Sequence, residues 1–339
     1  MKFESIEIQK TLEEFDGTDY ARLVRFSKIT EDYRRNAEFA YNNKVSTGFP
    51  LLDQSIRGIK PGEVVYVTSP TNVGKTALAM NIIRNNLNDS SLIPFFSLEN
   101  NEFQMYERML QMELSVPPWE IEERFAKNDR EFIQRSENVA KKWDCVINII
   151  ERVDINDISK TIKTIEKLKN KRTKFVMIDY LQLIKVMGMN EYARMSEAAQ
   201  VIKELSLKLN LPFIILSQVS RNEARKEDGL DLYSAKGSGE IENSAQILFA
   251  LEKAKIEKLP ASIANYAKDF ERKKIDILVL KTMKKKRGHY TDIYLKLDFK
   301  NLLLTEIHST NEVPFKDVTA KQLEIKTEKD DNDTDDMPF

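Results

Sequence analysis

The stretch from Val64 to Leu87 constrains this chain more than any other part of its sequence. A short run with strand character, VVYVT, leads directly into the loop SPTNVGKT and then into ALAMNIIRNNL, which has the apolar spacing of a helix. A glycine, a lysine and a hydroxyl residue between a buried strand and a helix form the pattern of a phosphate-binding loop. We therefore expect an α/β nucleotide-binding core.

The residues of this loop have distinct predicted roles. Gly74 lets the backbone approach phosphate, Lys75 reaches the β- and γ-phosphates, and Thr76 offers a hydroxyl to Mg²⁺. Ser69 stands where the standard pattern has glycine. The predicted nucleotide-binding residues are Ser69, Pro70, Thr71, Asn72, Val73, Gly74, Lys75 and Thr76. The predicted bound species are ATP and Mg²⁺.

Short apolar runs alternate with helical patterns along the chain, which is typical of a mostly parallel sheet covered on both faces. Strands are predicted at 64–68, 93–98, 145–150, 175–184, 212–218, 246–251, 276–281 and 293–297, the last two as a hairpin at one end. Residues 1–45 have the pattern of a polar helical arm. The ATPase core is predicted over 46–310, and a disordered acidic tail over 311–339.

Composition excludes several classes of protein. One cysteine, Cys145, cannot form an internal disulfide, and with His289 and His308 it leaves no zinc cluster. No apolar run approaches the roughly 18 residues of a membrane span, and the N-terminus lacks a signal peptide pattern. We expect an intracellular protein without a membrane partner.

Three polar residues at predicted strand ends are candidates for chemistry. Asp179 interrupts the apolar run FVMIDYLQLI, where an acid is costly unless it serves a metal or a hydrogen-bond network. Glu99 follows FFSL and suits a general base, although a solvated glutamate at a helix start is equally commonplace. Gln218 closes PFIILSQ, where it fits a γ-phosphate sensor or an ordinary strand-end residue.

Taken in order, these motifs resemble the RecA-like motor domain of DnaB-type replicative helicases. The resemblance covers roughly residues 46–306 and rests on TGFPLLD, SPTNVGKT, FFSLE, IDYLQLI, LSQVSR and SGEIENSAQILFAL. It implies a hexameric ring in the cytoplasm of a bacterial or phage-infected cell, driven by ATP along single-stranded DNA and unwinding duplex DNA in replication. It also implies that Thr76 and Asp179 hold Mg²⁺, Glu99 activates water and Gln218 couples the γ-phosphate to DNA.

Two other functions fit the same motifs. A RecA-class recombinase would form a filament that pairs or anneals strands and would use ATP as a switch. A protein that coats single strands would recruit partners and hydrolyse ATP only for release. Closed rings on DNA, as opposed to filaments, would distinguish the helicase from the recombinase.

The sequence departs from the family in two places. Only about 45 residues precede the motor, so the resemblance does not extend to the family's N-terminal helical domain, which binds primase. The family also has a lysine and an arginine, two residues apart, that reach a neighbouring subunit's nucleotide. KTMKKKRG keeps Lys281, but Met283 stands at the arginine position, so Lys284 or Arg287 is predicted to substitute.

The resemblance implies that two loops bind single-stranded DNA through its backbone, without reading sequence. These loops follow the strands that end near Asp179 and Gln218. The predicted DNA-binding residues are Lys185, Arg194, Arg221, Arg225, Lys236, Gly237 and Gly239. Taken singly, each basic residue is explained equally well as a solvated loop charge.

The C-terminal residues DDNDTDDMPF are similar to the acidic tip of bacterial single-stranded-DNA-binding proteins. Such a peptide can place Phe339 and its carboxylate in an apolar pocket with a basic rim, while acids steer its approach. A plain solubilising tail is the alternative. The predicted docking residues for replication or repair proteins are Asp335, Asp336, Met337, Pro338 and Phe339.

Overall fold

The computed structural model describes most of the chain between residues 26 and 307. The described residues are 26, 29–151, 153–186, 190–219, 238–261, 263–264, 275–285 and 292–307. The predicted tail over 311–339 and the first 25 residues of the predicted arm lie outside them.

Strands and helices alternate along the described chain, as the apolar pattern predicted. The strands are β1 Val64–Ser69, β2 Ser91–Ser97, β3 Val146–Ile149, β4 Arg172–Thr173, β5 Val176–Asp179, β6 Phe213–Gln218, β7 Ile247–Lys253, β8 Ile275–Lys285, β9 Ile293–Asp298 and β10 Leu303–Glu306. The helices are α1 Ile29–Asn42, α2 Pro50–Ile56, α3 Lys75–Arg84, α4 Glu102–Leu114, α5 Pro118–Ala126, α6 Arg130–Lys142, α7 Ile158–Lys169, α8 Glu191–Leu209 and α9 Ser238–Ser244. None of the helices in these described ranges is long and apolar enough to cross a bilayer.

The strands form one sheet in the order β10-β9-β8-β7-β1-β6-β5-β2-β3, and β4 pairs with β2. From β7 to β3 the neighbouring strands are parallel. The strands β8, β9 and β10 extend the sheet in antiparallel pairing from β7. This arrangement confirms the α/β class and the predicted hairpin at one edge. Because β1, β6 and β5 are parallel neighbours, the loops that follow them leave from the same edge of the sheet.

The centre of the sheet is buried on both faces, which β1 illustrates. Val65 and Val67 belong to one core cluster, which also contains Leu78 of α3. Val64 and Tyr66 belong to the cluster on the opposite face. Alternate side chains of a strand point to opposite faces, so a continuous apolar run is what a doubly covered strand requires.

One strand is shorter than the sequence predicted. β5 ends at Asp179, which pairs with Ser97, the last residue of β2. Since its neighbour ends there as well, the chain turns into a 3₁₀ helix over Leu181–Leu183. Leu181 and Ile184 are buried in the second core cluster, so the apolar run to residue 184 reflects a packed turn and not a longer strand.

The two ends of the described core meet at helix α2. Glu306, the last residue of β10, accepts hydrogen bonds from the backbone N–H groups of Leu51 at 2.9 Å and Leu52 at 3.0 Å. A carboxylate in this position satisfies free N–H groups and complements the helix dipole. Val45 and Ile59 flank α2 in the chain and form an antiparallel bridge. The segment that follows α1 and the last strand are therefore fastened to the same helix.

Candidate active site

The loop between β1 and α3 has the backbone shape that a bound phosphate needs. Asn72 and Gly74 lie in the left-handed region, with φ of 61° and 113°. A Cβ atom on Gly74 would lie 3.1 Å from the Leu297 side chain, so conformation and space both favour glycine there. Helix α3 begins at Lys75 without a side-chain cap, which leaves its first N–H groups available to an anion.

Two oxygen-bearing side chains meet in a buried position beside this loop. Thr76 Oγ1 donates a hydrogen bond to Asp179 Oδ2 at 2.6 Å. The other oxygen, Asp179 Oδ1, is buried without a hydrogen-bond partner within the described part of the chain. Burial raises the pKa of Asp179, and the Thr76 bond and the charge of Lys75 oppose that rise. A buried carboxylate oxygen without a partner, next to a hydroxyl, fits Mg²⁺, which takes oxygen ligands.

Lys75 points into the same space. Burial lowers the pKa of its ammonium group, while the negative charges of Asp179 and Glu99 act in the opposite direction. Its Nζ lies 4.7 Å from the centre of the Tyr180 ring, within the range of a cation–π contact. The loop lysine, the buried aspartate and Glu99 therefore share one electrostatic environment.

Glu99 lies at the exposed side of this site. It follows β2 by two residues, and Leu98 just before it donates a backbone hydrogen bond to Asp179 O at 2.8 Å. The charge of Glu99 raises the pKa of Asp179 as well as that of Lys75. An exposed carboxylate at this position can contact a water molecule that the buried Asp179 cannot reach.

Sequence reasoning missed Arg108, which belongs to the same surroundings. Arg108 Nη2 donates to Asn100 Oδ1 at 3.4 Å, beside Glu99, and its positive charge lowers the pKa of Asp179. Arg108 lies on α4, which begins with a capping box formed by Asn101 and Gln104. The available signal was spacing: positions 101, 104 and 108 share one face of a helix that begins at the predicted base.

Gln218 ends β6 next to the start of the phosphate loop. Its register partner in β1 is Ser69, and Val219 donates a backbone hydrogen bond to Ser69 O at 3.1 Å. The side-chain amide of Gln182, which the sequence analysis also missed, bonds to this end of β6. A polar residue inside the apolar run IDYLQLI was its signal, the same signal that identified Asp179.

The described residues of the predicted trans-acting finger are engaged within their own chain. Lys281 Nζ forms an ion pair with Glu252 Oε2 at 2.5 Å. Lys284 Nζ donates to the backbone carbonyl of Glu242 in α9. Arg287 lies outside the described residues. Two lysines on β8 are thus held by neighbouring segments, and contact with another subunit's nucleotide would have to compete with these bonds.

Three of the predicted DNA-binding residues are described. Lys185 and Arg194 are exposed, the second in the first turn of α8. Gly239 lies in α9, and a Cβ atom there would stand 3.7 Å from the Tyr192 hydroxyl of α8. The start of α8 and α9 therefore lie side by side. The remaining predicted residues, Arg221, Arg225, Lys236 and Gly237, lie outside the described ranges.

Fold and site together define an α/β nucleoside-triphosphate-binding core with a phosphate loop between β1 and α3. The chain belongs to the DnaB-like helicase C-terminal domain family, whose model matches residues 44–303. It is 30% identical to the replicative DNA helicase DnaB of Mycoplasma pneumoniae over 256 residues, which cover 71% of this chain and 53% of that protein. It is 28% identical to the DnaB of Helicobacter pylori strain 26695 over 291 residues, 82% of this chain and 58% of that protein. The chain thus spans about half the length of these relatives.

Solved structures show the same fold. A DnaB-like replicative helicase, described with its interactions with primase, aligns over 91% of this chain and 72% of its own with a TM-score of 0.66 and 21% identity. The ATPase domain of a phage-type helicase aligns over 91% of this chain and 98% of its own with a TM-score of 0.65 and 19% identity. These alignments confirm the RecA-like sheet and helix arrangement that the motif order implied.

Proposed function

We propose that this protein is an ATP-driven motor that translocates on single-stranded DNA and unwinds duplex DNA during replication. One observation carries the proposal: the buried Thr76–Asp179 pair, with one carboxylate oxygen left without a hydrogen-bond partner among the described residues, lies beside Lys75. Membership of the helicase family supports the assignment of this site to ATP and Mg²⁺.

The residues divide the work of hydrolysis by their burial. Thr76 and Asp179 would hold Mg²⁺, which when bound neutralises charge on the β- and γ-phosphates. The ammonium of Lys75 and the first N–H groups of α3 would bind the same phosphates. Exposed Glu99 would orient the attacking water and accept its proton. Arg108, which stabilises the ionised form of Asp179, would keep the metal ligand charged.

Coupling to DNA would pass through Gln218. Its backbone is paired to Ser69 at the loop, and β6 leads directly into residues 220–237, which include three of the predicted basic contacts. A change at the γ-phosphate could therefore reach the DNA through a single strand end. Lys185 and Arg194, both exposed, would add contacts to the DNA backbone from the other loop.

The active site would be completed in a homo-oligomer, as a hexameric ring. Lys281 with Lys284 or Arg287 would reach the nucleotide of the neighbouring subunit, where a positive charge stabilises the transition state. The acidic residues Asp335 and Asp336 with Met337, Pro338 and Phe339 would dock replication or repair proteins. Because the relatives are bacterial helicases, we place this activity in the cytoplasm of a bacterial or phage-infected cell.

A forked-duplex unwinding assay with ATP and Mg²⁺ tests the proposal. The protein should separate the strands, and Lys75→Ala should not. Lys127→Ala is a matched control, because Lys127 is an exposed lysine at the end of α5 paired with Glu123, and it should unwind normally. Binding to single strands without ATP-dependent unwinding would favour the strand-coating function. Filaments on DNA in electron micrographs would favour the recombinase.

A further inference from the structure

The ladder between β5 and β6 stops before β6 does. The register pairs run from Val176 with Phe213 to Ile178 with Ile215. Strand β6 continues to Gln218, and on its other side β1 follows it to that last residue. The final residues of β6 therefore have a strand partner on one side only.

A side chain takes the place of the missing strand partner. Gln182 Nε2 donates to Ser217 Oγ at 3.0 Å and to Gln218 O at 3.1 Å. In return, Gln218 N donates to Gln182 Oε1 at 3.3 Å. One primary amide thus provides both a donor and an acceptor to the backbone of Gln218, as a paired strand would.

We propose that Gln182 is a positioning residue that holds Gln218 in a fixed place relative to Asp179. Gln182 lies three residues after Asp179 in a turn whose Leu181 is fully buried, so its own backbone is anchored. The proposal rests on the proposed function, because it assigns to Gln182 the transmission of nucleotide state from the metal site to the DNA-binding segment after β6.

The chemistry of the amide makes the proposal specific. Methionine has similar length but offers neither a donor nor a strong acceptor. Glutamate can accept from Gln218 N but cannot donate to Gln218 O, which would face a negative charge instead. The described bonds of the Gln182 side chain go to Ser217 and Gln218 and not to the phosphate loop, so ATP binding should remain while its coupling to DNA is lost.

The experiment measures ATP hydrolysis of the full chain with and without an oligo-dT strand. In Gln182→Met, the stimulation of kcat by DNA should fall about tenfold, and in Gln182→Glu by a smaller factor, while KM for ATP stays within about twofold. Gln200→Met is the control, because Gln200 is an exposed glutamine on α8 that bonds only along its own helix to Glu204 in the described contacts. It should leave both quantities unchanged.

A double substitution tests whether Gln182 acts through Gln218. If it does, Gln182→Met combined with Gln218→Ala should lose no more stimulation than Gln218→Ala alone. Additive losses, a rise in KM with unchanged kcat, or normal stimulation in Gln182→Met would each overturn the proposal. Should Gln182→Met melt well below the wild type, Ser217→Ala and Gln182→Glu provide the same comparison. Absence of DNA stimulation in the wild type would instead overturn the proposed function itself.

Discussion

Replacing Asp179 by asparagine should stabilise the nucleotide-free protein and remove its response to magnesium. The Asp179 side chain is fully buried, and burial raises its pKa above the ordinary value of 3.8. For an acid, a raised pKa means that the folded state disfavours the ionised form. The carboxylate therefore costs folding free energy at every pH above its folded pKa.

The magnitude follows from two opposing effects. Burying a charge costs several kcal/mol per ion, and Lys75 compensates only part of this cost for Asp179. The substitution weakens the hydrogen bond from Thr76, because a bond to a charged acceptor contributes about 1.5–3 kcal/mol and a neutral one about 0.5–1.5 kcal/mol. A net gain of about 1 kcal/mol should remain. That gain corresponds to roughly 2–4 °C in melting temperature.

The assay is thermal unfolding between pH 5 and 8, with EDTA or with Mg²⁺ and ATP. In EDTA at pH 8, Asp179→Asn should melt above the wild type, and the difference should shrink as the pH falls towards 3.8, because the wild-type carboxyl then becomes protonated. Mg²⁺ with ATP should raise the melting temperature of the wild type more than that of the variant. Asp144→Asn, at a carboxylate whose side chain is 75% exposed, is the control without either effect. A variant that melts below the wild type in EDTA at pH 8 would refute the reasoning.

Three further substitutions test the remaining assignments. Lys75→Ala should abolish binding of a fluorescent ATP analogue, whereas Glu99→Gln should keep binding and lose about 10²–10⁴-fold in hydrolysis, because only the activation of water is removed. Equal turnover of Glu99→Gln and the wild type would exclude Glu99 as the base. In mixed oligomers, Lys284→Ala or Arg287→Ala subunits should reduce hydrolysis by wild-type neighbours more than in proportion, and a linear mixing curve for both would mean that each subunit works alone. Deleting Phe339 should spare DNA-stimulated hydrolysis and abolish pull-down of replication partners, and equal recovery at equal salt would leave the tail as a solubiliser.

The parts of the site that lie close together in the chain could be predicted from the sequence. Gly74, Lys75 and Thr76 follow a strand and open a helix, so local rules place them at the edge of the sheet. Asp179 was found because ionised groups are rare in apolar strands. The contact between Thr76 and Asp179 then follows from parallel strands whose carboxyl ends share one edge.

The parts that depend on pairing between strands could not be predicted. The end of β5 depends on where β2 ends, and a buried turn has the same apolar composition as a buried strand. The register of β7 with β8 shifts between Leu248 and Phe249, so that Met283 has no residue opposite it. Such a bulge changes which side chains share a face, and no local pattern marked it. Lys285 is consequently buried against Ser55, although it belongs to a run of lysines that reads as solvated.

The attachment of both ends of the core to α2 has a mechanical consequence. The arm enters through the segment at Val45, and the chain leaves β10 just after Glu306, whose carboxylate is bonded to the first turn of α2. A force applied between the arm and the chain beyond β10 would therefore load this short connection first. The strands that carry Asp179 and Gln218 lie several positions away across the sheet. A partner pulling on the C-terminal segment would accordingly strain a helix cap before it sheared the ladder that holds the nucleotide site.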